Sequence, residues 1–324
     1  MIWFYIFIFV LSCFLLAISG KWMVSALARI ARYLGWREFT VAFIFIAFGT
    51  SIPNLFVGIS SAFHKIPQLS LGDVLGGNVV DLTLALALVV FIARGIRVES
   101  KTVQSSSLFT IGVALLPLVL ILDGNLSRTD GLILLAAFFL YIRWLFAKRE
   151  RFVKIYDSAT EQESTPFQAA RNLKSILKNI GKLTAGLLLL LLSSEIIVRL
   201  AVIFSQKLDV SPFFIGLLII GLGNCLPEIQ FSIAAIRAGQ AWMALGNLMG
   251  SVIIISTLVL GTVALIAPIQ IVDFSPFAVA RFFLLLISLF FLIFIRTDRK
   301  ITKKEGIFLF LLYIAFVIVE ILLK

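Results

Sequence analysis

The chain has 324 residues, of which 61% are hydrophobic, 13% aromatic and only 14% charged. A soluble domain is about 45–50% apolar and about 25% charged, so this composition excludes an ordinary soluble enzyme, and it excludes disorder, which needs low hydrophobicity. The net charge of +11 does not point to nucleic acid, because Lys and Arg in a membrane protein first report which loops face the cytoplasm.

A membrane-spanning helix takes roughly 20 apolar residues. In chain order the apolar stretches cover residues 2–20, 39–63, 70–93, 107–122, 130–147, 183–203, 211–236, 241–267, 276–295 and 306–323. They predict an all-α, polytopic membrane protein of ten transmembrane helices. The run from Ile2 to Ile18 has no basic residue before it, and Lys21 follows where small cleavage-site residues would be wanted. It therefore reads as a first helix kept in the mature protein, not a secretion signal.

The loops after the odd-numbered helices hold 21 Lys and Arg, against three (Lys65, Arg128 and Lys207) after the even-numbered ones. The asymmetry predicts odd loops in the cytoplasm and both termini outside. The longest polar stretch, 148–182, reads as a cytoplasmic linker between a first five-helix unit, 1–147, and a second, 183–324. Arg143, Arg199 and Arg281 fall near helix ends, where they can snorkel, and Glu195 and Arg199 are spaced for an ion pair on one helix face.

The chain also repeats itself. Laid over itself so that Gly49 meets Gly223, it brings Pro53 onto Pro227, Ile59 onto Ile233, Leu71 onto Leu245, Gly72 onto Gly246 and Gly76 onto Gly250 without a gap. Each half holds five spans, so the second must enter the membrane from the opposite side. Two inverted five-helix repeats are expected, as in many secondary transporters.

The repeats carry the polar chemistry. The first motif, within 49–81, opens Gly49-Thr50-Ser51-Ile52-Pro53-Asn54; the second, within 223–256, opens Gly223-Asn224-Cys225-Leu226-Pro227-Glu228. Each proline costs a backbone hydrogen bond and frees the carbonyl four residues back, here that of Gly49 and of Gly223. A broken helix is expected at both. Thr50 and Asn54 share one helix face, as do Asn224, Glu228 and Ser232. On the next helix Asp73, Gly77 and Asp81 form one stripe beside Asn78; Asn247, Ser251 and Ile255 form its mate. Asp73 reads either as an entrance ligand or as an N-terminal charge favoured by the helix dipole.

A carboxylate at a helix centre costs roughly 2.5–3.5 kcal/mol on insertion scales, and Glu228 and Asp81 both sit inside apolar spans without a deep basic partner. A bound cation or a proton would offset that cost. Cys13 and Cys225 lie in apolar runs and suggest neither disulfide nor zinc site. The single His64 reads as a solvated loop residue. No nucleophile–base constellation or phosphate loop suggests an enzyme.

These motifs resemble those of the calcium/cation antiporter superfamily, which includes the sodium/calcium exchangers. The likeness rests on Gly49-Thr50-Ser51-Ile52-Pro53-Asn54, Gly76-Gly77-Asn78, Gly223-Asn224-Cys225-Leu226-Pro227-Glu228 and Gly250-Ser251. It implies an exchanger-like fold and a cation site of Glu228, Asp81, Asn54, Thr50, Ser51, Asn78, Asn224 and Ser251, with the Gly49 and Gly223 carbonyls. Glu228, Asp81 and Asn54 would be the metal-facing set, and Asp73, Asn247 and Ser232 secondary candidates. The sequence departs from the family pattern at Asn54, where an acid is usual, at Ile255, where an acid or amide is, and at Gly77, Asn224 and Cys225, where hydroxyls are.

The expected activity is export of Ca2+ in exchange for Na+ or H+ by alternating access, in the cell membrane of a prokaryote. No cofactor, nucleic acid or obligate protein partner is implied; the partners are inorganic cations and the bilayer. Exchange of another cation, such as a monovalent cation against H+, and a non-transporting scaffold or sensor are the alternatives.

Overall fold

The computed structural model describes residues 2–33, 38–98, 101–147, 172–237, 241–271, 274–296 and 300–323. The described residues are almost entirely helical. Helix α1 spans Ile2–Tyr33, α2 Glu38–Phe63, α3 Gln68–Ala93, α4 Lys101–Leu120 and α5 Arg128–Ala147. Helix α6 spans Asn172–Leu208 and α7 Pro212–Arg237; α8 begins with Ala241–Ile254 and continues to the end of Leu260–Ile266; α9 is Phe274–Arg296 and α10 Lys303–Leu322. Among the described residues seven stretches are long and apolar enough to cross a membrane, in α3, α4 and α6 to α10; Trp3–Leu16 in α1 is apolar but shorter.

Three expectations need correction. Helix α1 runs to Tyr33 instead of ending near residue 20, because a hydrogen-bond ladder need not stop where the apolar run stops. For the same reason α6 begins at Asn172, so residues 172–182 of the expected linker are helical. Leu173, Ile176, Leu177 and Ile180 repeat there at helical spacing; residues 148–171 lie outside the described set. Finally, α2 passes through Pro53 without interruption. One missing N–H leaves the ladder on either side intact. Only α7 breaks, at Cys225, between Gly221–Asn224 and Leu226–Arg237.

The two halves share backbone detail that side chains do not announce. Helix α3 widens into a π-helical turn at Asp81–Ala85, and α8 does so at Ile255–Val259; α7 has a third at Gly216–Ile220, without a counterpart in α2. The first two turns are separated by the same interval as Gly49 and Gly223, the period of the repeat. In each, a threonine two residues in returns its hydroxyl to a carbonyl one turn back: Thr83 to Val79, and Thr257 to Ile253. Such turns cluster at functional sites.

Helices α3 and α7, from opposite halves, cross backbone to backbone at the centre. A β-carbon on Gly72 would stand 2.1 Å from the Phe213 carbonyl oxygen, and one on Gly76 1.9 Å from that of Leu217. Only glycine permits this approach. Leu71, Val74, Leu75, Val79, Leu217 and Val252 fill the surrounding core without solvent contact. Helix α1 lies along α6, where Phe9 meets Phe204 edge-on at 5.5 Å and Lys207 Nζ caps the Tyr5 ring at 4.5 Å. The outward faces of α9 and α10 are apolar and exposed, as at Phe282, Leu289, Leu311 and Ile318.

Two short antiparallel ribbons tie the loops. β1 (Ile96–Arg97), after α3, pairs with β4 (Lys300–Ile301), after α9. β2 (Asn125–Leu126), after α4, pairs with β3 (Ile269–Gln270), after α8. At that second end Gln68 donates to the Gln270 carbonyl at 3.3 Å, and one pocket gathers Gln68, Ser211 and Gln270 from three loops. Odd loops thus meet odd loops, and even loops meet even.

Candidate cation site

The polar residues singled out in the two motifs converge where α2, α3, α7 and α8 meet. Ser51, Asn54, Asp73, Asn78, Asp81, Asn224, Glu228, Ser232, Asn247 and Ser251 are all at most 3% exposed. Thr50 is half-buried, Gly49 is buried, and Gly223 is half-buried against Cys13.

Cross-repeat contacts join the halves, and one pair of them obeys the repeat. Asn224 donates through Nδ2 to both Asp73 oxygens at 3.1 Å. At the mate positions the Thr50 hydroxyl donates to Asn247 Oδ1 at 3.4 Å. Asn78 Nδ2 donates to Ser256 Oγ at 2.8 Å, and the Cys225 thiol points at the Gly77 carbonyl at 3.6 Å.

Within the second half, the Ser251 hydroxyl donates to Glu228 Oε1 at 3.4 Å. Asn247 Nδ2 donates to the Glu228 carbonyl at 3.3 Å and to Ser232 Oγ at 3.2 Å, so Ser232 supports Asn247. Within the first half, Asn54 Nδ2 approaches the Asp73 oxygens at 3.4 and 3.5 Å.

Asp73 is the residue the sequence reading underweights. Its helix starts at Gln68 after Pro67, so Asp73 lies beyond the first turn, fully buried. The helix-dipole reading is therefore corrected: two amides hold this carboxylate, not the helix terminus.

Several buried oxygens have no hydrogen-bond partner among the described residues: Ser51 Oγ, Asn54 Oδ1, Asn78 Oδ1, both Asp81 oxygens and Glu228 Oε2. Asp81 and Glu228 act on each other electrostatically across the repeat interface, and the Cys225 thiol is within electrostatic reach of Asp73 as well as of both. Unpaired buried polar atoms are costly, and six oxygens in one region make a donor set suited to a hard cation. Among the described residues no group of three or more His, Cys, Asp or Glu side chains is placed to hold a metal ion by itself.

Helix pairs that bring two repeat halves around a buried, acidic, oxygen-lined centre define a membrane cation transporter. The chain belongs to the sodium/calcium exchanger protein family, whose model matches residues 4–147 and 178–322. It is 25% identical to the sodium/calcium exchanger MaX1 of Methanosarcina acetivorans, over 96% of this chain and 97% of that one. It is 27% identical to the inner membrane protein YrbG of Escherichia coli, over 87% and 86%. Among solved structures it resembles the sodium-calcium exchanger NCX_Mj soaked with Na+ and Sr2+, at 27% identity and a TM-score of 0.66, covering 98% and 99% of the two chains. It also shares the fold of the H+/Ca2+ exchanger CAX, at 19% identity and a TM-score of 0.76, covering 98% and 84%. The chain is thus an integral membrane antiporter and not an enzyme.

Proposed function

We propose that the protein exports Ca2+ in exchange for Na+ or H+, by alternating access around Glu228 and Asp81. The carrying observation is that these carboxylates, one from each half, leave three buried oxygens without a hydrogen-bond partner among the described residues, at Glu228 Oε2 and both Asp81 oxygens. Two carboxylates with neutral oxygens around them suit a divalent hard cation better than a soft metal. Asn54, Thr50, Ser51, Asn78, Asn224 and Ser251 complete the proposed ligand set, with the Gly49 and Gly223 carbonyls. The names of MaX1 and NCX_Mj, both sodium/calcium exchangers, support this cargo.

The proposed architecture is ten spans in two inverted repeats. The π-helical turns at one repeat period and the pairing of odd loops with odd and even with even support it. The charge asymmetry supports cytoplasmic odd loops and outward-facing termini.

A second reading, exchange of another cation, draws on one observation: the Ile255 side chain occupies space beside Gly77 where the family usually has polar groups. Flux into proteoliposomes, with Ca2+, Na+ and pH gradients varied separately, decides between them. The first reading expects Ca2+ uptake driven by an outward Na+ or H+ gradient. Absence of Ca2+ movement under every gradient would overturn it.

A further inference from the structure

Asn54 and Glu228 are mates in the repeat, and so are Asp73 and Asn247. In each half these two positions lie on the proline-bearing helix and on the helix after it, in hydrogen-bond contact. In the second half the acid is on the proline-bearing helix and the amide follows: Asn247 Nδ2 donates to the Glu228 backbone carbonyl at 3.3 Å, not to its carboxylate. In the first half the identities are exchanged. The amide, Asn54, is on α2, the acid, Asp73, is on α3, and they meet at 3.4 and 3.5 Å.

We propose that Asp73 supplies, from α3, the negative charge that Asn54 leaves out of α2, and that it acts as a positioning residue behind the cation ligands. This rests on the reading of Glu228 and Asp81 as cation ligands.

An ionised carboxylate only accepts hydrogen bonds, and an amide nitrogen only donates them. Asp73 therefore draws the nitrogens of both Asn54 and Asn224 toward itself, with four N···O contacts between 3.1 and 3.5 Å. Those contacts occupy its oxygens and leave the ion to other groups. They also fix which way each amide points. With its nitrogen tied to Asp73, Asn54 turns Oδ1 away; that oxygen is buried, the residue being 1% exposed, and has no partner among the described residues. A cation would satisfy it. Groups behind the ligands orient them in this way at metal sites generally. Asp73 also brings the buried negative charge to three carboxylates, which act together on any cation at low dielectric. An Asn at position 73 would pack identically but lack the charge. Its NH2 could also donate to either neighbour's Oδ1, so the Asn54 amide would lose its preferred direction.

The test is binding of radiolabelled calcium to the purified, detergent-solubilised protein, with thermal unfolding of the same samples. Asp73→Asn should weaken calcium binding by about tenfold or more without lowering the unfolding temperature. The isosteric exchange Asn54→Asp with Asp73→Asn restores one acid and one amide across the same contact. It should recover affinity to within about threefold of the parent. Wild-type affinity in Asp73→Asn would overturn the proposal, as would an exchange variant that binds as weakly as Asp73→Asn. If the single variant fails to fold, the exchange variant decides alone: near-parent binding supports the proposal and lost binding overturns it. Glu228→Gln measured in parallel separates the two levels. Loss there with Asp73→Asn unaffected removes only Asp73; no loss there removes the site itself.

Discussion

The terminal methyl of Ile255, from the second repeat, lies 3.1 Å from the point a β-carbon on Gly77, from the first, would occupy. These two of the departures from the family's polar pattern are therefore one event in space. An aliphatic side chain fills what a hydroxyl on one helix and an acid on the other would line. Fewer oxygen donors should mean fewer coupled monovalent cations. Sodium-dependent calcium efflux from proteoliposomes should show a Hill coefficient for sodium near one. The pair Gly77→Ser with Ile255→Asp should steepen it, because the aspartate is shorter than isoleucine and clears the serine. A steep sodium dependence in the parent would contradict this.

Gly76 makes a different demand. A β-carbon there would stand 1.9 Å from the Leu217 carbonyl oxygen and 2.8 Å from its carbon, both backbone. No rotamer change relieves such a clash, so α3 and α7 would have to move apart. Overpacking typically costs about 1–3 kcal/mol and occasionally more, and a backbone clash belongs at the upper end. Gly76→Ala should lower the unfolding temperature or abolish the folded yield, whereas Gly112→Ala, with nothing within 4 Å, should leave both unchanged.

The repeat was legible because glycine and proline have backbone duties that survive divergence, and the constant interval from Gly49 to Gly223 and from Pro53 to Pro227 needs no structure to see. The two π-helical turns at matching positions of the repeat were not legible. They start at Asp81 and Ile255, residues with no chemistry in common; only Thr83 and Thr257, back-bonded at matching positions, hint at them. Asp73 stands only as a secondary candidate in the sequence because a charge near a helix start has a ready local explanation, and only the fold brings Asn224, from the other half of the chain, against it. His64 was read as a lone loop residue. It stays exposed, but its Nε2 lies 3.0 Å from Glu195 Oε1, on a helix in the other half. The ion pair from Glu195 to Arg199, 2.7 Å in the structure, was legible because helical spacing alone specifies it.

The alternation of loop charge carries a topological prediction. A single cysteine at Ser158, in a chain with Cys13 and Cys225 replaced by Ser, should react with a membrane-impermeant maleimide only from the cytoplasmic side. A cysteine at Gln270, where the even loops meet, should react only from outside. Labelling of both from one side would break the odd–even rule that the ribbons obey.

Glu228 makes the most direct test. It is the acid at the proline motif of the second half, 1% exposed, with Oε1 accepting from Ser251 at 3.4 Å and Oε2 without a partner among the described residues. Asp81, from the other half, faces it electrostatically. Replacing Glu228 with Gln keeps the shape, and the amide oxygen can still accept from Ser251. What disappears is one of the two charges that would contact a divalent ion. In a low-dielectric site that attraction exceeds the few tenths of a kcal/mol typical of surface pairs. Folding should not suffer, because the change also relieves repulsion between two buried acids and removes the cost of burying a charge. Glu228→Gln should therefore abolish cation exchange in proteoliposomes, with an unfolding temperature equal to or above the parent's. Asp81→Asn removes the other of the two charges and should lower exchange as well. Near-normal flux at limiting calcium in Glu228→Gln would move the transport site away from this pair of carboxylates.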